Sequence, residues 1–286
     1  MMNVTHLPGS SIAGYKLVTL LGKGQGGEVW SAVGKDGIVI ALKLFAAETP
    51  PENAKAEYDR GKSLKHPNIV TPLSFDMIDD GAFIAMPLYA GRSVDNAAGH
   101  FPEAMAWNLI HDIGSALAYL HSESLCHGDV KPSNILRSGD RFLLADFGSC
   151  FEVKTGSPAN DLSSYLFSAP ERIKTEKSDI WSLGATVFNL VMGSQVLNGL
   201  GGRSQREETE IPFMRKSMPE LSAFVVECLS FHSTSRPSAK DVQLLAEDNL
   251  KRLSGQNRIR PIKKVASITV QDEFESFWPE IMKDAL

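Results

Sequence analysis

The chain is poor in cysteine, with only Cys126, Cys150 and Cys228 in 286 residues. An odd, widely spaced set without paired-ligand spacing excludes a disulfide framework and a cysteine-rich metal knuckle, and it suits reduced thiols in a cytoplasmic protein. No apolar run approaches the ~18 residues that cross a bilayer. The N-terminus has no basic segment followed by an apolar one, so neither a membrane span nor secretion is expected. Positive charge is also short: 29 lysines and arginines face 34 acids, for a formal net charge of -5. That removes the field that would gather nucleic acid or anionic lipid. Internal repeats and low-complexity tracts are absent.

What remains is ordinary globular material, 43% hydrophobic and 22% charged. Short apolar runs at 15–21, 28–33, 37–45, 69–75 and 82–86 alternate with Gly-rich breaks and read as strands of a small sheet. One polar, helix-forming segment interrupts them at 53–65. From Pro102, which suits a first helical turn, Met105, Leu109, Ile113, Leu117 and Leu120 recur at three- and four-residue spacing along one helical stripe. Further helices are expected at 179–192, 219–230 and 239–250, with a solvated Gly-rich loop at 198–210. The fold class expected is α+β in two lobes. The divisions are an N-terminal extension (1–14), a strand-rich lobe with one helix (15–86), a connector (87–93), a larger helical lobe (94–250) and a tail (251–286). In the tail, Phe274, Phe277, Trp278, Ile281 and Met282 form an apolar stripe interrupted by Pro279. It is suited to docking on its own lobe or on a partner.

The stretch Gly22-Lys23-Gly24-Gln25-Gly26-Gly27-Glu28-Val29 sits at the tip of a predicted hairpin. Residues without a Cβ let backbone N–H groups approach a polyphosphate. Lys43 is one cation inside the apolar strand 38–45, a costly position unless paired. Glu57, on the predicted helix, is the best-placed carboxylate to pair with it. The run Cys126-His127-Gly128-Asp129-Val130-Lys131-Pro132-Ser133-Asn134 places an acid, a lysine and an amide at close offsets. Asp129 is suited to accept a hydroxyl proton, Lys131 to steady migrating charge, and Asn134 to give an oxygen to a hard divalent cation. Asp146-Phe147-Gly148 then follows a buried strand and adds a second oxygen donor.

Together these residues resemble the eukaryotic-type serine/threonine protein kinase family. The resemblance extends from about residue 15 to 250, through Ser168-Ala169-Pro170-Glu171, Ser178-Asp179-Ile180-Trp181-Ser182-Leu183-Gly184 and Arg236-Pro237. It implies a bilobal kinase fold and transfer of the ATP γ-phosphoryl group to protein serine or threonine, autophosphorylation included. Lys43 would hold the α- and β-phosphates and Glu57 would hold Lys43. Asp129 would be the base, with Lys131 beside it, and Asn134 and Asp146 would hold magnesium. Val29, Ala41 and Leu136 would enclose adenine, Met86 would stand at the back of the pocket, and Pro87 through Tyr89 would supply backbone hydrogen bonds. Lys131 and Ser164 resemble the serine/threonine branch of the family, which implies that specificity.

Three departures matter. Gly128 replaces the arginine that in the family binds a phosphate on the activation segment, which puts control through Thr155 or Ser157 in doubt. Gly61 follows Glu57 by one helical turn where an apolar residue is usual. The segment from Asp146 to Glu171 is short. Two other classes compete. Small-molecule phosphotransferases share the His-Gly-Asp loop but lack the Ala-Pro-Glu segment and its arginine, and a pseudokinase scaffold would normally have lost a catalytic residue.

Overall fold

The computed structural model describes residues 6–24, 26–79, 81–158, 165–211, 214 and 216–256. Strands β1 (Ser11–Ile12), β2 (Tyr15–Gly24), β3 (Gly27–Val33) and β4 (Val39–Phe45) precede helix α1 (Pro51–Ser63), and β5 (Ser74–Ile78) and β6 (Gly81–Pro87) follow it. They form an antiparallel six-stranded sheet ordered β1-β2-β3-β4-β6-β5. Side chains alternate across a strand. Ile40, Leu42 and Leu44 of β4 therefore join Leu17, Trp30, Ala32, Phe83 and Ala85 in one apolar cluster, and Ala41 and Lys43 face the other way. That alternation is what brings Lys43 under α1.

The reading of 69–75 as one strand is corrected. Ile69 makes a lone parallel bridge to Leu144, and the Val70 N–H donates to the Leu144 carbonyl at 2.9 Å. Pro72 has no N–H to give a ladder, and regular pairing with β6 begins only at Ser74. Helix α1 starts two residues before its expected position because Pro51 occupies the first turn. Strand β1 lies inside the stretch taken as an extension.

The helical lobe is built around α2 (Glu103–Ser122) and α3 (Glu176–Met192), with α4 (Pro219–Cys228) and α5 (Ala239–Gln256) packed on them. Pro102 is the N-cap of α2, one position before the expected first turn. Helix α3 is buried from Ser178 to Val191, which fits an apolar all-round helix at the centre of a domain. It begins with a Thr175–Ser178 capping box and ends at Gly193 in the left-handed region (φ 73°). Close packing of α2 on α5 needs Gly114, where a Cβ would lie 3.0 Å from Val242 Cγ1.

Three short pairs complete the lobe: β7 (Leu125–Cys126) with β10 (Phe151–Glu152), β8 (Ile135–Ser138) with β9 (Arg141–Leu144), and β11 (Ser157–Pro158) with β12 (Ile173–Lys174). The solvated-loop reading of 198–210 is corrected. Gln205 is buried, accepting from Trp181 Nε1 at 3.0 Å and donating to the Leu229 carbonyl at 2.7 Å, and Gly202 N–H donates to the Ser168 carbonyl at 3.0 Å. Gln25, Ser163, Ser164 and the apolar stripe of the tail lie outside the described residues. No helix among the described residues is long and apolar enough to cross a membrane.

Candidate active site

The β2–β3 hairpin carries the glycine stretch. At Gly27 (φ 126°) a Cβ would fall 1.9 Å from the Leu44 carbonyl oxygen, so glycine alone fits. At Gly22, Gly24 and Gly26 a Cβ would meet nothing within 4 Å, leaving one face of the hairpin open to a ligand. Lys23 is turned to Glu28 at 2.8 Å, and Glu28 also accepts from Trp30 Nε1 and pairs with His6 Nδ1, both at 3.0 Å. Burial would raise the Glu28 pKa. Hydrogen bonds from Lys23, Trp30 and His6 outweigh it and bring it down to about 2.

Beneath the hairpin, Lys43 Nζ lies 2.7 and 2.9 Å from the two Glu57 oxygens and 3.1 Å from Asp146 Oδ1. One buried ammonium thus serves two carboxylates, and their pKa shifts divide. Asp146 is lowered: burial opposes ionisation, but the Lys43 charge and hydrogen bond exceed it. Glu57 is raised, because burial and the nearby Asp146 charge together exceed what Lys43 returns. Lys43 is raised: burial works against its charge, and the two anions overcome it. Gly61 does not break α1. Its Cα packs under Pro72, where a Cβ would come 3.1 Å from the ring, with Phe147 at 3.8 Å. The place of the usual apolar residue is filled from outside the helix. Arg60 donates to the Phe147 carbonyl at 2.8 Å, and the Phe147 ring meets His127 edge-on at 5.3 Å. Asp146 holds a positive φ of 66°.

The loop after β7 presents Asp129. Lys131 Nζ is 2.8 Å from Asp129 Oδ2, and Asn134 Nδ2 donates to both the Asp129 carbonyl (2.9 Å) and Oδ2 (3.0 Å). Asp129 Oδ1 is buried with no hydrogen-bond partner. The loop is anchored from below by Asp179 of α3, which accepts from the His127 and Gly128 N–H groups at 2.9 and 2.8 Å and bonds His121 Nε2 at 3.1 Å. Burial would raise the Asp179 carboxyl, but His121 and the other bonds hold it below the usual range.

At the floor of the cleft, Met86, Tyr89 and Leu136 pack on Val70, Leu143 and Ala145. Ala41 pairs with Met86 and Ile40 with Pro87 across β4–β6, and Val29 pairs with Lys43 across β3–β4. Among the described residues no three His, Cys, Asp or Glu side chains gather as a preformed metal cluster.

Farther down, Glu171 forms a two-pronged pair with the fully buried Arg236, at 2.8 and 2.9 Å, and accepts from Ser178 Oγ at 2.6 Å. Sequence reasoning brought Lys43, Glu57, Asp146, Asp129, Lys131 and Asn134 to attention, and the fold gathers them. It gave no role to Asp179, Arg60 or Lys174. Asp179 had a signal, an acid near the start of a very apolar helix, where burial demands partners.

A family model described as protein kinase domain matches residues 15–245, and the chain belongs to that family. Its α+β architecture, a strand-rich lobe and a helical lobe, is the family's bilobal fold. The chain is 31% identical over 265 residues to mitogen-activated protein kinase kinase kinase 19 of Mus musculus, covering 82% of this chain and 20% of that protein. It is 33% identical over 205 residues to the serine/threonine-protein kinase PknJ of Mycobacterium bovis (65% of this chain, 35% of the other). To the cytokinesis protein sepH of Aspergillus terreus it is 29% identical over 240 residues (79% and 18%). The chain spans well under two thirds of the length of these relatives.

Proposed function

We propose that the chain is an ATP- and magnesium-dependent serine/threonine protein kinase with Asp129 as its base. The supporting observation is the asymmetry of the Asp129 carboxylate: Lys131 and Asn134 hold Oδ2, and Oδ1 is buried without a partner. A buried acceptor left open costs about 1–3 kcal/mol, which an incoming hydroxyl would recover by donating to it. In the transfer, that hydroxyl gives its proton to Asp129 and its oxygen bonds to the terminal phosphorus of ATP. The bond from that phosphorus to its bridging oxygen breaks, and ADP leaves.

The chain's own residues do the positioning. Lys43, fixed by Glu57, is placed for the α- and β-phosphates beneath the open face of the glycine hairpin. Val29, Ala41 and Leu136 border the adenine position, with Met86 behind it. Pro87 and Tyr89 border the connector, where a backbone carbonyl is all that Pro87 needs to offer. Lys131 steadies charge beside Asp129. Asn134 has both Nδ2 hydrogens committed to Asp129, so its amide oxygen is the atom left for a cation, and the Asp146 carboxylate is a second hard oxygen donor. This donor set fits magnesium, which when bound neutralises the phosphate oxygens.

A protein substrate is favoured over a small molecule by the buried Glu171–Arg236 pair anchoring the Ala-Pro-Glu segment. Small-molecule phosphotransferases with a similar loop lack that segment. The relatives named as serine/threonine-protein kinase and mitogen-activated protein kinase kinase kinase support the same reaction class. Three unpaired, buried cysteines suit a reducing, cytoplasmic setting. The test is mass spectrometry of the protein and a generic basic substrate after incubation with Mg·ATP. Phosphoserine or phosphothreonine that disappears with EDTA supports the reading, and no transfer contradicts it.

A further inference from the structure

We propose that Lys174 is a positioning residue for Asp129, a latch that sets the catalytic loop without a phosphate on the activation segment. The inference rests on the kinase reading above and concerns how that site is held.

At Gly128 the backbone is left-handed (φ 78°), and a Cβ there would come 2.7 Å from the Ser149 carbonyl oxygen and 3.0 Å from the Phe151 ring. No side chain leaves residue 128 to grip the segment that follows Asp146. The peptide is gripped by its own polar atoms instead. Asp179 takes the N–H groups of His127 and Gly128, and Lys174 Nζ donates to the Gly128 carbonyl oxygen at 2.7 Å. That carbonyl belongs to the peptide unit joining Gly128 to Asp129. Because the unit is planar, fixing its oxygen fixes the plane from which the Asp129 Cα departs. A charged donor makes the bond stronger than a neutral one would.

The other end of the latch is the segment itself. Lys174 lies on β12, which pairs with β11, so Ser157 faces Lys174 and Pro158 faces Ile173 across one two-residue ladder. Gly156 (φ 59°) allows the approach, since a Cβ there would lie 2.7 Å from Ile173 Cγ2. Mechanical continuity therefore runs from the middle of the activation segment, through β11 and β12, to Lys174 and the peptide before the base. The Lys174 side chain also lines a small cavity shared with Asp129, Ser168 and Asp179, and a shortened residue would open that space to water. In the family, an arginine at the position of Gly128 would draw the segment in by binding a phosphate. Here a lysine just beyond the segment, on the strand that pairs with it, reaches back to the loop.

Lys174→Met keeps the aliphatic stem and removes only the charged donor, and Lys174→Arg restores a donor. With protein substrate and Mg·ATP, K174M is expected to keep the wild-type melting temperature and KM for ATP. Its kcat is expected to fall about ten- to a hundredfold, as a slightly misplaced base would, with K174R recovering most of the rate. A K174M enzyme with kcat within about twofold of wild type overturns the latch and leaves the kinase reading intact. Equal losses in K174M and K174R, accompanied by a lowered melting temperature, also overturn it, because the lysine would then only be holding the fold together. A wild-type protein that transfers no phosphate overturns the kinase reading and the latch with it.

Discussion

Lys43 and Glu57 meet through both carboxylate oxygens, at 2.7 and 2.9 Å, across the boundary between the β-sheet and its one helix. The same ammonium reaches Asp146 of the helical lobe at 3.1 Å, so this one side chain joins the two lobes at the cleft. Removing it leaves the buried Glu57 carboxylate beside the partly exposed one of Asp146 with no cation between them. Lys43→Met is expected to lower phosphate transfer by at least about a hundredfold, the scale of losing a pre-placed charge at a reacting phosphate. A double-mutant cycle with Glu57→Gln, read by urea unfolding, should give a coupling of about 1–3 kcal/mol. Additive effects would mean that the two side chains do not meet in solution.

The Glu171–Arg236 pair sets an acid limit to stability. Burial would raise the Glu171 carboxyl, but hydrogen bonds and charge from Arg236, with Ser178, hold it below the usual carboxylate range. A lowered native pKa contributes stability that is complete above the unfolded value of about 4.3 and is lost as pH falls through the native one. Arg236→Met should cost about 3–5 kcal/mol at pH 7, as expected when a buried charge loses its partner. The difference from wild type in urea midpoint should shrink below about pH 4. A gap that stays constant from pH 7 to pH 3 would remove Glu171 from the explanation.

Much of this was legible in the chain. Lys43 stands out as a lone cation inside an apolar strand, a costly place unless paired, and the close offsets of Asp129, Lys131 and Asn134 mark one loop. Reading failed where a residue's partner was distant in sequence. Ile69 and Val70 look like strand but bond to Leu144, and the polar look of 198–210 hid Gln205, whose partners are Trp181 and Leu229. Lys174 is one more charged residue in the sequence, and only the fold sets it against Gly128. Gly61 departs from the family pattern only when the helix is read alone, because Pro72 fills that space from outside it.

Because a side chain at 128 has no room and Lys174 already ties the segment to the loop, phosphate control is expected to be weak. Thr155 Oγ1 is engaged with the Glu152 carbonyl at 2.8 Å, a local turn contact. Replacing Thr155 and Ser157 together by alanine should change kcat by less than about threefold. Steady-state rates of the double variant and of phosphatase-treated wild type should agree, and a hundredfold loss in either would show that a phosphate on this segment is required.

The most direct measurement is the rate of transfer from Mg·ATP to a protein hydroxyl by wild type and by Asp129→Asn, each checked for an unchanged melting temperature. An amide at 129 keeps the shape and can still accept from Lys131, but it cannot take the hydroxyl proton. The expected result is phosphoserine or phosphothreonine formed by wild type and a fall of about a hundredfold or more in the variant. Equal labelling by the two proteins would contradict Asp129 as the base.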